Sequence, residues 1–478
     1  RKRLSDVNSI LALARAGAVS RAWAAFVDAG FDGITDNPKV LTLKGRLLKD
    51  QARAAQGEAQ ARLFLRSAQA YADASALSPD SYPLINAASM SLFSGQTSHM
   101  EMLARQVLSI LQTGVGGGET PYWHEATKAE AQFLLGHETD ARAALSKAIA
   151  HAPNAWEDHA TTLRQFRQIL RFRGQSDTWL TEFAPPKSLY FKGLIGLAPD
   201  DIFAASAITE WVKNSGAAFG YGALAAGADI LVAEALVRSG GELHVVLPVI
   251  PSVFRAQSVA PYGAEWATRF DSLFENAASV EIAAGSDALS DAAIKIAAQV
   301  AKGRAIDRAA RLESNAVGIE VVDTAPKTQP AENESVFVLP RSADFSVQSL
   351  LPDHQVVALL ATDAAACAET WDLADGVYVS KYDDLNQAHR ATTEIRSNDG
   401  DARIAFGLSV NTGDNANQQR HDSRVIRMLQ AAAMGTTIAS ADAAMALKSE
   451  NPGLWTEALG ELPDASGAIE LYAIGANC

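Results

Sequence analysis

The glycine-rich segment in the middle of the chain limits the fold more than any other feature. Residues 220–249, GYGALAAGADILVAEALVRSGGELHVVLPV, run as strand end, tight turn, helix, loop and strand. Gly220, Gly222 and Gly227 permit positive φ and close backbone approach, and the following helix would aim its first N–H groups at the turn. The order predicts an α/β unit with an anion site at Gly220 to Ala223. The glycine spacing matches neither the Rossmann nor the P-loop pattern, so a purely structural turn is the alternative.

The chain before this unit is predicted to be helical throughout. Residues 1–184 contain successive segments with apolar residues at helical spacing, separated by short breaks such as Ser94-Gly95-Gln96 and Gly136-His137. Paired helices with short turns predict a tetratricopeptide-like array, whose concave face usually binds another protein. The spacing is irregular, and a plain helical scaffold is the alternative.

The pattern changes at Pro185-Pro186 to alternating strands and helices, which predicts a mainly parallel sheet over residues 185–323. Ser188 to Leu197 is the first predicted strand, and Asp200 is placed to cap the helix after it. Ligands bind outside the carboxyl ends of the strands in open sheets. Gly193, the glycine turn and Pro248 should therefore converge.

A polar, proline-containing linker is predicted at residues 324–335, followed by a third segment, residues 336–478, with further strands and helices. Asp375-Gly376 predicts a turn, and Asp384 is placed to cap a helix. Leu471 to Ile474 is the last predicted strand. The fold class is therefore multidomain, with an all-α array followed by two α/β domains.

Composition excludes several classes of function. The 478 residues are 48% hydrophobic and 20% charged, as in ordinary globular chains. A net charge of −14 argues against a general nucleic-acid binder, and no apolar run is long enough for a membrane span. The two cysteines and nine histidines show no metal-ligand spacing and there is no GxSxG serine motif, so no metal site and no catalytic residues are predicted. A cytoplasmic location is expected.

Residues 1–184 resemble the bacterial tetratricopeptide-like domain related to the TRAF-binding region of apoptosis-signal-regulating kinases. LTLKGRLLKDQAR, SPDSYPLINAASMSL, YWHEATKAEAQFLLG and TTLRQFRQIL carry the resemblance. It implies a protein partner bound through the helical array.

Residues 188–323 resemble the SLOG-type nucleotide-binding domain, through GYGALAAGADILVAEAL and ELHVVLP. The resemblance implies a Rossmann-like fold and a nucleotide-type ligand, with no certain cofactor. Leu194 stands where the family usually has histidine, and the PGG motif of SLOG phosphoribohydrolases is absent, which argues against chemistry in this pocket. Glu234 would contact a ribose or a catalytic water, or be only an exposed helix residue. The predicted ligand-binding residues are Lys192, Gly193, Gly220, Tyr221, Gly222, Ala223, Gly227, Asp229, Glu234 and Pro248.

The third segment resembles a shortened catalytic domain of class III adenylate/guanylate cyclases, through TWDLADGVYVSKYDDLNQAHRA, ARIAFGLSVNTGD and RMLQAAAMGTTIAS. Asp363 and Asp375 fall at the two metal-binding carboxylate positions of the family, and Arg427 at its transition-state arginine. Asp375 follows Asp363 by only 12 positions, whereas the family has a pair of helices and a strand there. Catalysis of this type depends mainly on accurate placement of the metals and the triphosphate. Because the elements that would place them are missing, the resemblance implies a pseudocyclase.

Two classes of function follow. The first is a non-enzymatic cytoplasmic regulatory or scaffold protein that senses a nucleotide derivative through the SLOG-like domain and binds a protein through the array. The second is an enzyme that processes a nucleotide derivative in the SLOG-like pocket or, less favoured, a minimal cyclase.

Overall fold

The computed structural model describes most of the chain and divides it between Pro185 and Pro186 into two compact units. The division falls inside the proline pair at which the sequence pattern changes. The described residues are 7–15, 19–78, 80–114, 120–286, 288–341, 351–367, 369–411, 415–464 and 467–475.

The first unit is built from α-helices that follow one another with short turns. A 3₁₀ helix, Thr178–Phe183, follows the last of them. The α-helices are α1 Val7–Arg15, α2 Val19–Asp28, α3 Pro38–Ala54, α4 Gly57–Leu77, α5 Ser81–Phe93, α6 Thr97–Thr113, α7 Pro121–Leu134, α8 Glu138–His151 and α9 Trp156–Phe172. α1 to α7 each pack against the next helix in sequence, and α9 packs against α5 and α7.

The ends of α5, α7 and α9 share one turn geometry. Each is followed by a glycine with positive φ, namely Gly95 at 82°, Gly136 at 84° and Gly174 at 64°. The next N–H then donates to a carbonyl in the last turn of the helix, which is the Schellman arrangement. These bonds run from Gln96 to Ser91, from His137 to Gln132 and from Gln175 to Leu170. The recurring turn supports a helical repeat despite the irregular spacing in the sequence.

The second unit begins with a six-stranded sheet in which every neighbouring pair of strands is parallel. The strand order is β4-β3-β2-β1-β5-β6, so it reverses between β1 and β5. The strands are β1 Lys187–Lys192, β2 Ala217–Gly222, β3 Glu242–Val249, β4 Ser279–Ser286, β5 Ala316–Val322 and β6 Glu334–Val338. The helices between them are α10 Ile202–Ser215, α11 Ala228–Arg238, α12 Pro251–Ser258, α13 Ala264–Glu275 and α14 Asp291–Arg311.

Three details of this sheet differ from the sequence predictions. β1 ends at Lys192, not at Leu197, because the chain turns away to lie over the start of α11. The cap of α10 is Asp201, whose Oδ1 accepts the N–H of Ala204 at 2.9 Å, and not Asp200. β6 pairs with β5 from Glu334 onward, so the last two residues of the predicted linker already belong to the sheet.

A second sheet of seven strands follows, in the order β12-β13-β11-β10-β7-β9-β8. Only β10 and β11 run parallel to each other within it, and its other pairs are antiparallel. The strands are β7 Gln355–Thr362, β8 Asp372–Ala374, β9 Val377–Tyr382, β10 Ile404–Asn411, β11 Thr437–Ser440, β12 Trp455–Asp464 and β13 Gly467–Gly475. The helices are α15 Leu385–Asn398, α16 Asn415–Ala431 and α17 Ala441–Glu450.

The two sheets are joined through α14 and α17. α14 packs on the first sheet, α17 packs on the second, and the two helices contact each other along their length. Gly303 of α14 allows the closest approach, because a Cβ built there would lie 1.9 Å from the carbonyl oxygen of Met445. The first and second sheets therefore belong to one packed body.

Charged side chains also form pairs between the part of the unit around the first sheet and the part around the second. Lys448 and Asp307 are both buried and pair at 2.9 Å, and Thr456 donates to the same Asp307 oxygen at 2.8 Å. Arg304 bridges Glu281 of the first sheet, at 2.7 Å, and Glu470 of the second, at 2.8 Å. Removing one partner of a buried pair such as Lys448–Asp307 commonly costs about 3–5 kcal/mol, because the other charge is left buried without a partner.

Candidate functional site

The glycine turn is filled by side chains of its own domain. A Cβ added at Gly220 would lie 2.3 Å from Leu236 Cδ2, and one added at Gly222 would lie 2.5 Å from the ring of Phe191. These two glycines therefore let α11 and β1 pack closely against β2. A substitution at Gly222 would disturb this packing before it could report on ligand binding.

The first N–H of α11 is bound within the protein. Ala228 donates to the carbonyl of Leu194 at 3.0 Å, and Gly196 donates to the carbonyl of Ala226 at 3.1 Å. Gly227 has φ 125° and ψ −125°, a conformation that only glycine adopts readily. The chain after β1 thus lies across the start of α11, where the anion was expected.

Among the predicted site residues, Asp229 has the pKa that departs furthest from its ordinary value. Its side chain is buried, and one oxygen accepts the N–H of Ala225 at 3.2 Å. Burial raises its pKa to about 8, against hydrogen bonds from the backbone of Ala225 and Gly193 that lower it. The group is therefore mostly a neutral carboxyl at pH 7, so it interacts only weakly with the dipole of α11 and with a charged ligand.

Glu234 has a structural partner. Its two carboxylate oxygens accept from Nε and a terminal nitrogen of Arg269 at 2.8 and 2.7 Å. Arg269 also stacks over the ring of Trp266 at 4.3 Å and donates to the carbonyl of Pro199 at 3.0 Å. Glu234 thus joins α11 to α13 through a bidentate ion pair.

Lys192 lies where the strand order reverses, which is the usual place of a ligand in such sheets. Its Nζ pairs with Glu320 Oε1 at 2.8 Å, across β1 and β5. Both side chains are well exposed, and an exposed pair contributes only about 0–1 kcal/mol. A charged ligand could displace this pair at small cost.

The remaining predicted residues of the first sheet are parts of its packing. The ring of Tyr221 is buried and stacks on that of His244, with centroids 4.6 Å apart, and burial raises the pKa of Tyr221 to about 12. Ala223 is half-buried against the core, and Pro248 is buried within β3.

A pocket of about 220 Å³ opens at the opposite edge of the sheet. It is bounded by the first residues of β1, β5 and β6 and by the end of α10. Ligands of parallel sheets bind at the carboxyl edge, so this pocket does not coincide with the predicted site. The lining residues are Lys187, Trp211, Asn214, Ser215, Val317, Glu332, Asn333 and Ser335.

The first cyclase-like carboxylate is held by its own sheet. Asp363 accepts the backbone N–H of Arg403 at 2.8 Å and its Nε at 2.7 Å. Burial alone would raise the pKa of Asp363, but the hydrogen bonds and charge of Arg403 outweigh it and hold the pKa below its usual value.

The other two cyclase-like positions have separate roles. Asp375 has φ 48° and forms, with Gly376, the predicted two-residue turn between β8 and β9. Thr362 pairs with Tyr378, so Asp363 and Asp375 lie at the same edge of the sheet. Arg427 lies on α16 and donates to Asp464 at 3.1 Å.

A polar cluster that the sequence analysis missed lies in the first unit, on the face shared by α3, α5, α7 and α9. Lys49 donates to Asn86 at 3.0 Å, and Glu130 accepts from Ser89 at 2.5 Å and from Gln165 at 3.0 Å. Arg53 of α3 donates to Gln168 of α9 at 3.2 Å. The cluster, defined as Lys49, Arg53, Asn86, Ser89, Glu130, Gln165 and Gln168, thus connects four helices.

Two charged groups of the cluster, Lys49 and Glu130, have shifted pKa values. Burial, followed by the neighbouring charge of Arg53, lowers the pKa of Lys49. Burial also raises the pKa of Glu130, against hydrogen bonds from Ser89 and Gln165. Shifted pKa values of this kind occur both at functional sites and in structural ion-pair networks. The signal in the sequence was polar residues on the shared side of otherwise apolar helices, which becomes visible only once the helices are aligned.

Among the described residues, no group of three or more His, Cys, Asp and Glu side chains is arranged to hold a metal ion. None of the described helices has the length and apolar character to cross a membrane.

Comparison with known proteins concerns the first unit. No curated protein matches the chain. Residues 5–91 match the model of the family described as Tetratricopeptide Repeats-Sensor, TPR-S. The match spans α1 to α5, which include Lys49, Arg53, Asn86 and Ser89 of the polar cluster. The first unit of this chain therefore contains a tetratricopeptide-like helical region.

Proposed function

We propose that this chain is a non-enzymatic scaffold or regulatory protein that binds a protein partner through the face shared by α3, α5, α7 and α9. The polar cluster on that face carries the proposal, because a face that served only to pack helices would be apolar. The family match over α1 to α5 supports it, since tetratricopeptide arrays use such faces for binding.

We expect a fragment of residues 1–185 to fold alone and to recover the same partners as the full chain. The reason is that these residues form a compact unit with cores of their own. The measurements are circular dichroism of the fragment and mass spectrometry of proteins captured by the fragment, by residues 186–478 and by the full chain. Partners that follow residues 186–478 would contradict the proposal and make the helical unit a plain scaffold.

The second sheet is proposed to be a pseudocyclase. Two-metal catalysis needs two carboxylates that face the same ions, whereas Asp363 is bound by Arg403 and Asp375 forms a hairpin turn. Purified chain incubated with ATP or GTP and Mn²⁺ or Mg²⁺ should form no cyclic nucleotide above a control without protein. Product that vanishes in Asp363→Ala would instead favour the minimal cyclase.

A nucleotide-type ligand of the first sheet is a second candidate role. The exposed Lys192–Glu320 pair at the reversal of strand order is the observation that favours it, because a ligand could displace the pair cheaply. An enzyme acting on such a ligand is the alternative. A thermal-shift screen against nucleotides, NAD, ADP-ribose and cyclic dinucleotides tests for the ligand, since a ligand specific for the folded state stabilises it. Conversion of that ligand by the purified chain would favour the enzyme.

A further inference from the structure

The pocket at the amino edge of the first sheet lies at a corner that the fold leaves open. It has a volume of about 220 Å³ and is bounded by the end of α10 and the first residues of β1, β5 and β6. A helix follows each of β1 to β4, whereas the chain between β5 and β6, residues 323–333, forms no helix. This corner of the sheet therefore lacks a crossover helix that would cover it.

Part of the pocket wall is apolar. Side chains alternate across a strand, so Val317 of β5 lies on the same face as the buried Ile319. The ring of Trp211 meets that of Phe337 edge-on, with centroids 6.4 Å apart, and also borders the pocket. Trp211 and Val317 are both only half-buried, so apolar surface remains available to a ligand.

Polar side chains without a partner surround this apolar surface. Lys187, Asn214 and Glu332 line the pocket, and their side chains make no hydrogen bond or ion pair within the part of the chain that the structure describes. By contrast, Lys192 at the other end of β1 pairs with Glu320. The pocket thus presents one cation, one anion and one amide that are free to bind a ligand.

The end of α10 adds partial negative charge to the pocket. Asn214 and Ser215 are the last two residues of this helix, and both line the pocket. The last carbonyl groups of a helix together carry roughly half a negative charge, which attracts cations. A ligand cation is therefore attracted by Glu332 and by the helix end, whereas a ligand anion is attracted by Lys187.

We propose that this pocket binds a free α-amino acid with an apolar side chain. Its ammonium group would meet Glu332, and its carboxylate would meet Lys187. Its side chain would pack against Trp211 and Val317. The amide of Asn214 can serve either end, because it both donates and accepts hydrogen bonds. A volume of about 220 Å³ equals that of about seven water molecules at ~30 Å³ each, which suits one amino acid and is too small for a nucleotide.

The test is isothermal titration calorimetry of the full chain with L-leucine, L-methionine and L-phenylalanine. We expect at least one of them to bind. The tightest binder is then compared with its amide, which lacks the carboxylate, and with its deaminated acid, which lacks the ammonium group. Each analogue should bind at least ~10-fold more weakly, as expected for a lost contact of about 1.4 kcal/mol.

Lys187→Gln and Glu332→Gln distinguish the two ends of the ligand. Each should weaken binding of the amino acid at least ~10-fold. Lys187→Gln should leave the affinity for the amide unchanged, because the amide has already lost the group that Lys187 meets. Glu332→Gln should likewise leave the affinity for the deaminated acid unchanged. Lys213→Gln and Glu210→Gln are the matched controls, because both residues are exposed on α10 and neither lines the pocket.

The inference fails if none of the three amino acids binds at about 10 mM, a concentration that would saturate a site with a Kd of about 1 mM. It also fails if both analogues bind as tightly as the amino acid, or if neither variant weakens binding while circular dichroism shows that both are folded. Binding that is lost in Lys192→Gln and kept in Lys187→Gln would place the ligand at the opposite edge of the sheet. None of these results affects the proposed partner binding, which is tested on residues 1–185.

Discussion

Gly303→Ala is expected to destabilise the α/β unit by up to about 2 kcal/mol. The added Cβ would lie 1.9 Å from the carbonyl oxygen of Met445 and 2.6 Å from its carbonyl carbon. These are backbone atoms and cannot rotate away, so α14 and α17 must separate. Overpacking of this kind typically costs about 1–3 kcal/mol, occasionally more, whereas alanine gains only about 1 kcal/mol in helix propensity. The steric cost should therefore exceed the gain in helix propensity.

Urea unfolding of the full chain and hydrogen exchange of peptides from α14 and α17 would measure this effect. Gly453→Ala is the matched control, because a Cβ there meets no atom within 4 Å. Equal stability of the two variants would show that α14 and α17 can move apart without cost, and the two sheets would then not be firmly joined.

Asp229→Asn is expected to remove a large pH dependence of stability. The carboxyl keeps its proton up to about pH 8 in the folded chain, whereas its ordinary pKa is 3.8. Between these values the unfolded state binds fewer protons, so this group makes stability fall as pH rises. Asparagine has no proton to lose. The stability of the variant relative to the unsubstituted chain should rise by roughly 1.4 kcal/mol per pH unit across the window.

The measurement is the free energy of unfolding of both chains from pH 5 to pH 8, within the window of about 4 to 8 set by the two pKa values. Hydrogen exchange of β2 and α11 assigns the transition to the α/β unit. Asp200→Asn, at an exposed position shortly before α10, serves as the control substitution. Parallel curves for Asp229→Asn and the unsubstituted chain would show that Asp229 is ionised in the folded state, and that burial does not control its charge.

The packing of α14 against α17 joins the cyclase-like segment to the first sheet. Lys448, Asp307 and Thr456 form a buried network across the contact, and Arg304 reaches carboxylates of both sheets. The second sheet is therefore built into the α/β unit.

Local chemistry in the sequence determined much of the architecture. The proline pair at 185–186 coincides with the division between the units. Gly95 and Gly136 follow the ends of helices at the two breaks that the sequence predicts. Asp384 caps α15 as predicted, by accepting the N–H of Gln387 at 2.7 Å. Caps, turns and amphipathic periodicity depend on neighbouring residues, so one sequence suffices to predict them.

Two elements, α17 and β12, carry no such local signal and are determined by tertiary contacts. α17 was missed because it is buried nearly all round between the sheets, and a helix without a polar face shows no helical periodicity. β12 was missed because Gly460, at a register shift, and Pro463 suggest a turn rather than an edge strand.

The sites divide in the same way. The glycines of the central turn were predicted from sequence, but the side chains that fill the space above Gly220 and Gly222 come from α11 and β1. Conversely, Lys49, Glu130 and Gln165 are far apart in sequence and become one cluster only when α3, α7 and α9 share a face. Burial, pairing and pKa depend on which distant residues meet, because desolvation and hydrogen bonding act over a few ångströms in space, not along the chain.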